Sequence, residues 1–144
     1  MENLFIKNSS QDQEVLKTAK RFLDNIVGQI TDAYSNVIHH TIVNYKSSTR
    51  IEIGCVRNPN CTHSFTVNSK GIITYTSYSL LFFKTNDKEH PDVVRLLKKY
   101  PESSRYKNSS DFCLVVEIEN EVDFVNKVKD IVFMLEKGGF VLRR

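Results

Sequence analysis

Hydrophobic residues recur at helical spacing near the start of the chain. Between residues 10 and 34 they stand at Val15, Leu16, Ala19, Phe22, Leu23, Ile26, Val27, Ile30, Ala33 and Tyr34. This i, i+3, i+4, i+7 pattern predicts an amphipathic helix with one buried stripe. Ser10 followed by Gln13 has the form of a capping box, so we expect the helix to begin at residue 10. Gly28 costs about 1 kcal/mol relative to Ala inside a helix, and we expect it to permit close backbone packing.

The hydrophobic period changes to about two residues after position 36. Four segments are rich in β-branched and aromatic residues, namely 37–45, 50–56, 62–67 and 72–83, which is typical of strands. Turn-forming residues separate them, and connections this short predict an antiparallel four-stranded meander. In the second segment Ile51, Ile53 and Cys55 alternate with Arg50 and Glu52, so we expect one covered face and one wet face.

The second half of the chain predicts a short helix, a strand and a long helix. Pro91 suits the first position of a helix, and Pro101 ends it. The segment 112–118 reads as a strand, and 140–142 as a short final strand. Asn120 is the expected N-cap of the long helix 122–137. We expect its buried stripe to contain Val122, Val125, Val128, Ile131, Val132 and Leu135.

The resulting order, α-β-β-β-β-α-β-α-(β), predicts one α+β domain spanning residues 1–144. In its two-layer form, two long amphipathic helices pack on one face of a mainly antiparallel, four- to six-stranded sheet. The segments 1–9 and 143–144 are expected to be flexible.

Composition fits a small globular protein, with 40% hydrophobic and 26% charged residues. The net charge of +3 is too mild to indicate a nucleic-acid partner by itself. Three cysteines without disulfide-scaffold spacing favour a reducing compartment. No apolar run approaches the roughly 18 residues of a membrane span, and no signal-peptide pattern is evident. We therefore expect a cytoplasmic protein that does not associate with membranes, and the Asn, Lys, Ile and Ser bias favours a microbial or viral source.

A basic segment with interleaved tyrosines covers residues 95–107. Its members are Arg95, Lys98, Lys99, Tyr100, Arg105, Tyr106 and Lys107, with Glu102 as the single acid. Cations among aromatic rings are what a nucleic-acid backbone and its exposed bases require. The segment is therefore a candidate contact with a partner or with nucleic acid, although a solvated surface with cations at a helix C-terminus explains the same residues.

An acidic counterpart follows the basic segment. Glu117 and Glu119 are predicted to share one strand face, which favours an acidic stripe that meets a basic protein partner. Neighbouring acids such as Asp123 have a simpler explanation, because carboxylates are favourable at a helix N-terminus.

Histidine and cysteine residues supply weaker candidates. Cys55, Cys61 and His63 are zinc-ligand types, but their spacing is not that of a standard zinc site and a fourth ligand is missing. His39 and His40 are adjacent on a predicted strand, so their side chains are expected on opposite faces. At most one of them would serve as a general acid or base, and no catalytic partner is identifiable.

Three functions follow, in decreasing order of support. The preferred one is a small non-catalytic interaction protein that binds another macromolecule, such as an inhibitor, an immunity protein or a phage or bacterial regulator. Its anchors would include the aromatic residues Tyr75, Tyr78, Phe82 and Phe83. The alternatives are a nucleic-acid-binding accessory domain that uses residues 95–107, and a small hydrolase or nuclease that uses His39, His40 or His63.

Missing motifs and a candidate sheet edge complete the expectations. The sequence has no glycine-rich phosphate loop and no dinucleotide fingerprint, so we expect no cofactor, and no catalytic motif argues for an enzyme. We expect a protein as the partner, with nucleic acid as the alternative. A homodimer would form if 140–142 were an unpaired sheet edge.

Overall fold

The computed structural model describes residues 4–45, 48–79, 91–105 and 112–144. The elements in chain order are α1 (Leu4–Ala33), β1 (Val37–Tyr45), β2 (Ser48–Cys55), β3 (Asn58–Val67), β4 (Ile73–Ser79), α2 (Pro91–Lys99), β5 (Ser104–Arg105), β6 (Phe112–Ile118) and α3 (Glu121–Lys137). The predicted order of helices and strands is confirmed, with the two-residue β5 as an addition before β6. None of the helices in the described ranges is long and apolar enough to cross a membrane.

The strands form one antiparallel sheet in the order β1-β2-β3-β4-β6-β5. The first four strands are the predicted meander, because each pairs with the next through a short turn. Strand β6 returns beside β4, in a register that runs from Ile73 opposite Ile118 to Ser79 opposite Phe112. The two residues of β5 cover only the start of β6. This arrangement places the end of β6 and the start of α3 next to the β3–β4 turn.

One face of the sheet is buried beneath the helices. Its buried residues are Ile51, Ile53, Cys55, His63, Phe65, Val67, Ile73, Tyr75, Ser77, Leu114, Val116 and Ile118. Leu23 and Ile26 of α1 and Met134 of α3 pack onto this face with no solvent exposure. The rings of Phe22 and Phe124 lie 5.9 Å apart and join α1 to α3. Both long helices therefore cover the same face, and the predicted two-layer α+β fold is confirmed.

The opposite face carries polar side chains, as predicted. Arg50 pairs with Glu52 at 2.8 Å, and its guanidinium also donates to the Ser64 hydroxyl at 3.1 Å. Both members of the ion pair are partly exposed to solvent. Alternation along β2 therefore separates a dry face from a wet one, because successive strand residues point to opposite sides.

Two predictions about α1 are wrong. Helix α1 begins at Leu4, so the capping box at Ser10 does not start it. A residue that accepts helical geometry prolongs a helix at little cost, because propagation adds one hydrogen bond for each residue fixed. A Cβ built on Gly28 meets nothing within 4 Å, so no neighbour packs closely there.

The prediction of a final strand at 140–142 is also wrong. Leu142 forms only an isolated bridge with Tyr34, and the rings of Phe140 and Tyr34 meet edge to face at 5.6 Å. The backbone N–H of Ser35 donates to the Val141 carbonyl at 3.0 Å. Segment 140–142 is therefore held against the end of α1 and is not a free edge of the sheet. The end of the predicted fourth strand, 80–83, lies outside the described residues.

Candidate functional site

The basic segment meets a buried acid on α3. Asp130 is 5% exposed. The Arg95 guanidinium donates to Asp130 Oδ1 at 2.9 Å, and the Lys99 ammonium donates to Oδ2 at 2.8 Å. The Tyr100 hydroxyl donates to the same Oδ2 at 2.5 Å. These contacts join α2 to α3, so three of the predicted contact residues have a structural role.

Electrostatics around Asp130 favours a charged carboxylate. Burial alone would raise the pKa of Asp130, but the hydrogen bonds from Lys99, Tyr100 and Arg95 outweigh it and lower the pKa. Burial raises the pKa of Tyr100, and its hydrogen bond to Asp130 raises it further. At neutral pH the acid is therefore ionised and the phenol keeps its proton.

The remaining basic residues are distributed differently. Lys98 is exposed on α2. The backbone of Arg105 pairs with Phe112 at the β5–β6 edge, while Tyr106 and Lys107 lie outside the described residues. Since Asp130 offsets Arg95 and Lys99, the positive charge offered to a partner in the described ranges is smaller than the sequence suggests.

The two acids of the predicted stripe lie in different places. Glu117 is opposite Thr74 on the wet face and lines a 270 Å³ pocket with Tyr100 and Lys127. Strand β6 ends at Ile118, so Glu119 lies after the strand and does not continue its face. The chain turns there because Asn120 caps α3, and its side chain accepts a hydrogen bond from the Asp123 N–H. The structure thus does not form one stripe from these residues.

His63 is a core residue. Its Nδ1 lies 2.6 Å from the Tyr75 hydroxyl in a hydrogen bond, and its ring stacks on Tyr75 and meets Phe140 edge to face. Burial lowers the pKa of His63 to about 4, so the imidazole is neutral at pH 7. Tyr75 is also fully buried, which removes it from the candidate partner anchors. The other three, Tyr78, Phe82 and Phe83, have no described side chain.

The remaining zinc-ligand candidates do not converge. The Cys55 thiol donates to the Gly138 carbonyl at 3.3 Å inside the core. The side chain of Cys61 is not among those described. No group of three His, Cys, Asp or Glu residues in the described ranges is placed to hold a metal ion.

His39 lies at the surface beside α1. Its Nε2 is 3.0 Å from the Thr31 hydroxyl, in a 340 Å³ groove also lined by Asp24 and Asp32. The pairing of β1 with β2 shifts between His39 and Thr41, so a bulge interrupts the simple alternation predicted for His39 and His40. The side chain of His40 is not described.

An open cleft that the sequence did not predict lies between α1, the β3–β4 turn and the start of α3. We call it the α1–α3 cleft. It has a volume of about 480 Å³ and is lined by Glu14, Val15, Thr18, Ala19, Phe22, Lys70, Gly71, Glu119, Asn120 and Glu121. Its floor is apolar, because Val15, Ala19 and Phe22 lie along one face of α1. Three carboxylates and one lysine stand on its rim.

The β3–β4 turn shapes one wall of the cleft. Gly71 has φ of 80°, a left-handed conformation that favours glycine. A Cβ at this position would lie 2.7 Å from Cγ1 of Val15, so glycine also allows the turn to approach α1. The Asn68 side chain accepts hydrogen bonds from the N–H groups of Lys70 and Ile72, which fixes the turn.

The start of α3 adds apolar surface beside the cleft. Val122 and Val125 are 72% and 67% exposed, so their predicted place in the buried stripe is wrong. The buried side of α3 includes Ile131 and Leu135. Phe124 lies two helical turns before Ile131 on the same side and packs against Phe22. A stripe drawn through Phe124 would have placed both valines outside it, so the sequence did contain a signal for this surface.

None of the protein-family models, curated proteins or solved structures compared with the chain matches it. We therefore infer function from the geometry of the described residues.

Proposed function

We propose that this protein is a non-catalytic interaction domain that binds another protein, with the α1–α3 cleft at the centre of the binding surface. Inhibitors, immunity proteins and small regulators of phages and bacteria work in this way. Such proteins need no catalytic constellation, because a few apolar anchors and a complementary surface supply their binding energy.

The observation that carries this proposal is the exposure of Val122 and Val125 next to an apolar cleft. Single exposed apolar residues are common, but a cluster beside a concave apolar surface is typical of interaction sites. Glu121 lines the cleft, and Val125 stands one helical turn after it, so Val125 continues the cleft surface along α3 and Val122 extends that surface to the outer side of the helix. Covering each valine is worth roughly 1–2 kcal/mol.

The alternative functions have less support. Binding of nucleic acid through residues 95–107 has less positive charge to draw on than the sequence suggests, because Arg95 and Lys99 already bind Asp130. A histidine-dependent hydrolase would have to use the buried, neutral His63 or the surface His39. The Thr31 hydroxyl beside His39 donates to the Val27 carbonyl at 3.0 Å, so its proton is not directed at the imidazole as an activated nucleophile requires.

The proposal is tested by weakening the exposed apolar surface and leaving the fold intact. We would identify a partner by affinity capture from a native lysate, purify it, and measure binding by isothermal titration calorimetry. The Val122→Ser/Val125→Ser double variant should bind the purified partner about tenfold more weakly or worse. Val94→Ser is the matched control, because Val94 is a 46% exposed valine on α2.

Two results would contradict the proposal. One is a partner that binds the double variant as tightly as the wild-type protein. The other is an equal loss of affinity in Val94→Ser, which would place the binding surface on α2. Both variants should retain wild-type stability within about 0.5 kcal/mol, because the altered side chains are exposed.

A further inference from the structure

We infer that the segment that docks in the α1–α3 cleft is a basic amphipathic helix. Its apolar residues would recur every three or four positions, and lysine or arginine residues would flank them. This inference rests on the proposed function and names the chemistry of the partner.

The walls of the cleft have helical geometry. On α1, Val15, Ala19 and Phe22 follow the four- and three-residue spacing of one helix face. On α3, Glu121 lines the cleft and the exposed Val125 follows it by one helical turn, with Val122 beside Val125 on the outer side of the helix. The row on α1, flanked by the β3–β4 turn and the start of α3, leaves a groove that accepts the ridge of another helix.

Backbone hydrogen bonding at the cleft disfavours an extended peptide. In the β3–β4 turn, the N–H groups of Asn68 and Gly71 donate to backbone carbonyls, and the Asn68 side chain accepts from two more N–H groups. At the start of α3, the Glu119 N–H donates to Asp123. These groups are not free to pair with an added strand, whereas a helix satisfies its own backbone groups.

The charge of the cleft favours a positively charged ligand. Glu14, Glu119 and Glu121 line the cleft with one base, Lys70. Within the described part of the chain no ion pair involves these three carboxylates, in contrast to Asp123, which pairs with Lys127 at 2.9 Å. The cleft thus has an excess of negative charge in a protein whose net charge is +3. Exposed carboxylates add little affinity each, but they steer and orient a cationic partner.

The test uses synthetic peptides of about 18 residues, about 27 Å long as a helix. One has leucines at amphipathic spacing with lysine elsewhere, a second replaces lysine by glutamate, and a third scrambles the first. Fluorescence anisotropy would measure their affinity for the intact protein. We expect the ordered leucine–lysine peptide to bind, the glutamate peptide not to bind, and the scrambled peptide to bind at least about tenfold more weakly.

Protein variants locate the site. Glu14→Gln/Glu121→Gln should weaken binding of the leucine–lysine peptide about fivefold, since exposed ion pairs are individually weak. Asp24→Asn/Asp32→Asn is the matched control, because it removes two exposed acids from the other half of α1. Raising the salt concentration from about 0.05 M to about 0.3 M should weaken binding to the wild-type protein more than to Glu14→Gln/Glu121→Gln.

The outcomes separate this inference from the proposed function. Equal affinity for the lysine and glutamate peptides, or a loss of binding only in Asp24→Asn/Asp32→Asn, overturns the inference. If the partner captured from the lysate still needs Val122 and Val125, the proposed function stands without it. If that partner binds the Val122→Ser/Val125→Ser variant as tightly as the wild-type protein, the proposed function itself is wrong.

Discussion

Asp130 joins two helices through three side chains. The carboxylate accepts hydrogen bonds from Arg95, Lys99 and Tyr100, and each donor comes from α2 or the residue that follows it. Removing the acid would leave the buried Tyr100 hydroxyl without this acceptor, and a buried polar group without a partner costs about 1–3 kcal/mol. The arrangement makes this acid a structural residue and not a proton donor.

We therefore expect Asp130→Ala to lower the free energy of unfolding by about 1–3 kcal/mol. Arg95 and Lys99 are about half exposed, so their loss as partners contributes little of this. Urea denaturation measures the change, and Asp92→Asn, which removes an acid 3.9 Å from Arg95, is the control with an expected change within about 0.5 kcal/mol. A change in Asp130→Ala no larger than that of the control would show that Asp130 does not stabilise the fold.

His63 predicts a loss of stability in mild acid. Burial lowers its folded-state pKa to about 4, below the ordinary value of about 6.5 in the unfolded chain. Between about pH 6.5 and about pH 4 the histidine is protonated in the unfolded chain but neutral in the folded protein. The stabilisation that His63 gives to the folded state is therefore complete above about pH 6.5 and is lost as the pH falls towards 4. The slope is about 1.4 kcal/mol per pH unit. Asp130, whose pKa is also lowered, adds to the loss only below about pH 4.

The measurement is the free energy of unfolding from urea titrations between about pH 7 and pH 4.5. In His63→Gln the fall over this range should be smaller than in the wild-type protein, because Gln does not titrate. Comparing the two proteins cancels the contributions of the other histidines. Parallel pH profiles would mean that His63 is not buried in its neutral form.

At the scale of elements, replacing glycine by alanine should have opposite effects on stability at two positions. Gly71 has a positive φ and lies against Val15 in the β3–β4 turn, whereas Gly28 lies in the exposed part of α1 with open space around it. We expect Gly71→Ala to lower the free energy of unfolding by about 1–2 kcal/mol, because the left-handed conformation is costly for L-residues. Gly28→Ala should instead raise it by up to about 1 kcal/mol.

Thermal unfolding of both variants checks these signs. Because the two substitutions are chemically identical, they serve as controls for each other. A stabilised Gly71→Ala would mean that the turn does not hold this conformation, and a destabilised Gly28→Ala would mean that a neighbour does occupy that side of α1.

The helices and strands could largely be predicted from the sequence, since hydrophobic period identifies an element locally. The predicted and observed bounds of β1 are both 37–45. The start of α1 and the buried side of α3 could not be placed as well. At Ser10 a local capping signal was overridden by helix propagation, and on α3 a stripe chosen without Phe124 put Val122 and Val125 in the core.

At the scale of the whole molecule, the α1–α3 cleft was beyond sequence reasoning. It joins Val15, Gly71 and Glu121, which are far apart in the chain and meet because β4 and β6 are neighbours in the sheet. The hydrogen-bond partner of His63 could likewise not be predicted from the sequence, because the contact with Tyr75 depends on how β3 pairs with β4. Residue type suggested a metal ligand, while the fold makes this histidine a core residue.

The distribution of charge on the folded surface also differs from its distribution along the sequence. The basic segment at 95–107 has five cations and one acid in the sequence, yet Asp130, which lies on α3, binds two of these cations. The acids at Glu14 and Glu121 belong to separate elements and give no local signal, yet they share one cleft. Complementarity to a partner is therefore a property of the assembled surface.

Mapping amide chemical shifts by NMR, as the leucine–lysine peptide is added to the ¹⁵N-labelled protein, tests the role of the cleft most directly. We expect the perturbed amides to cluster at 14–22, 70–71 and 119–125, and to respond less in Val122→Ser/Val125→Ser. Perturbations confined to the wet face around Arg50, or to α2 around Lys98, would contradict a binding site in the α1–α3 cleft.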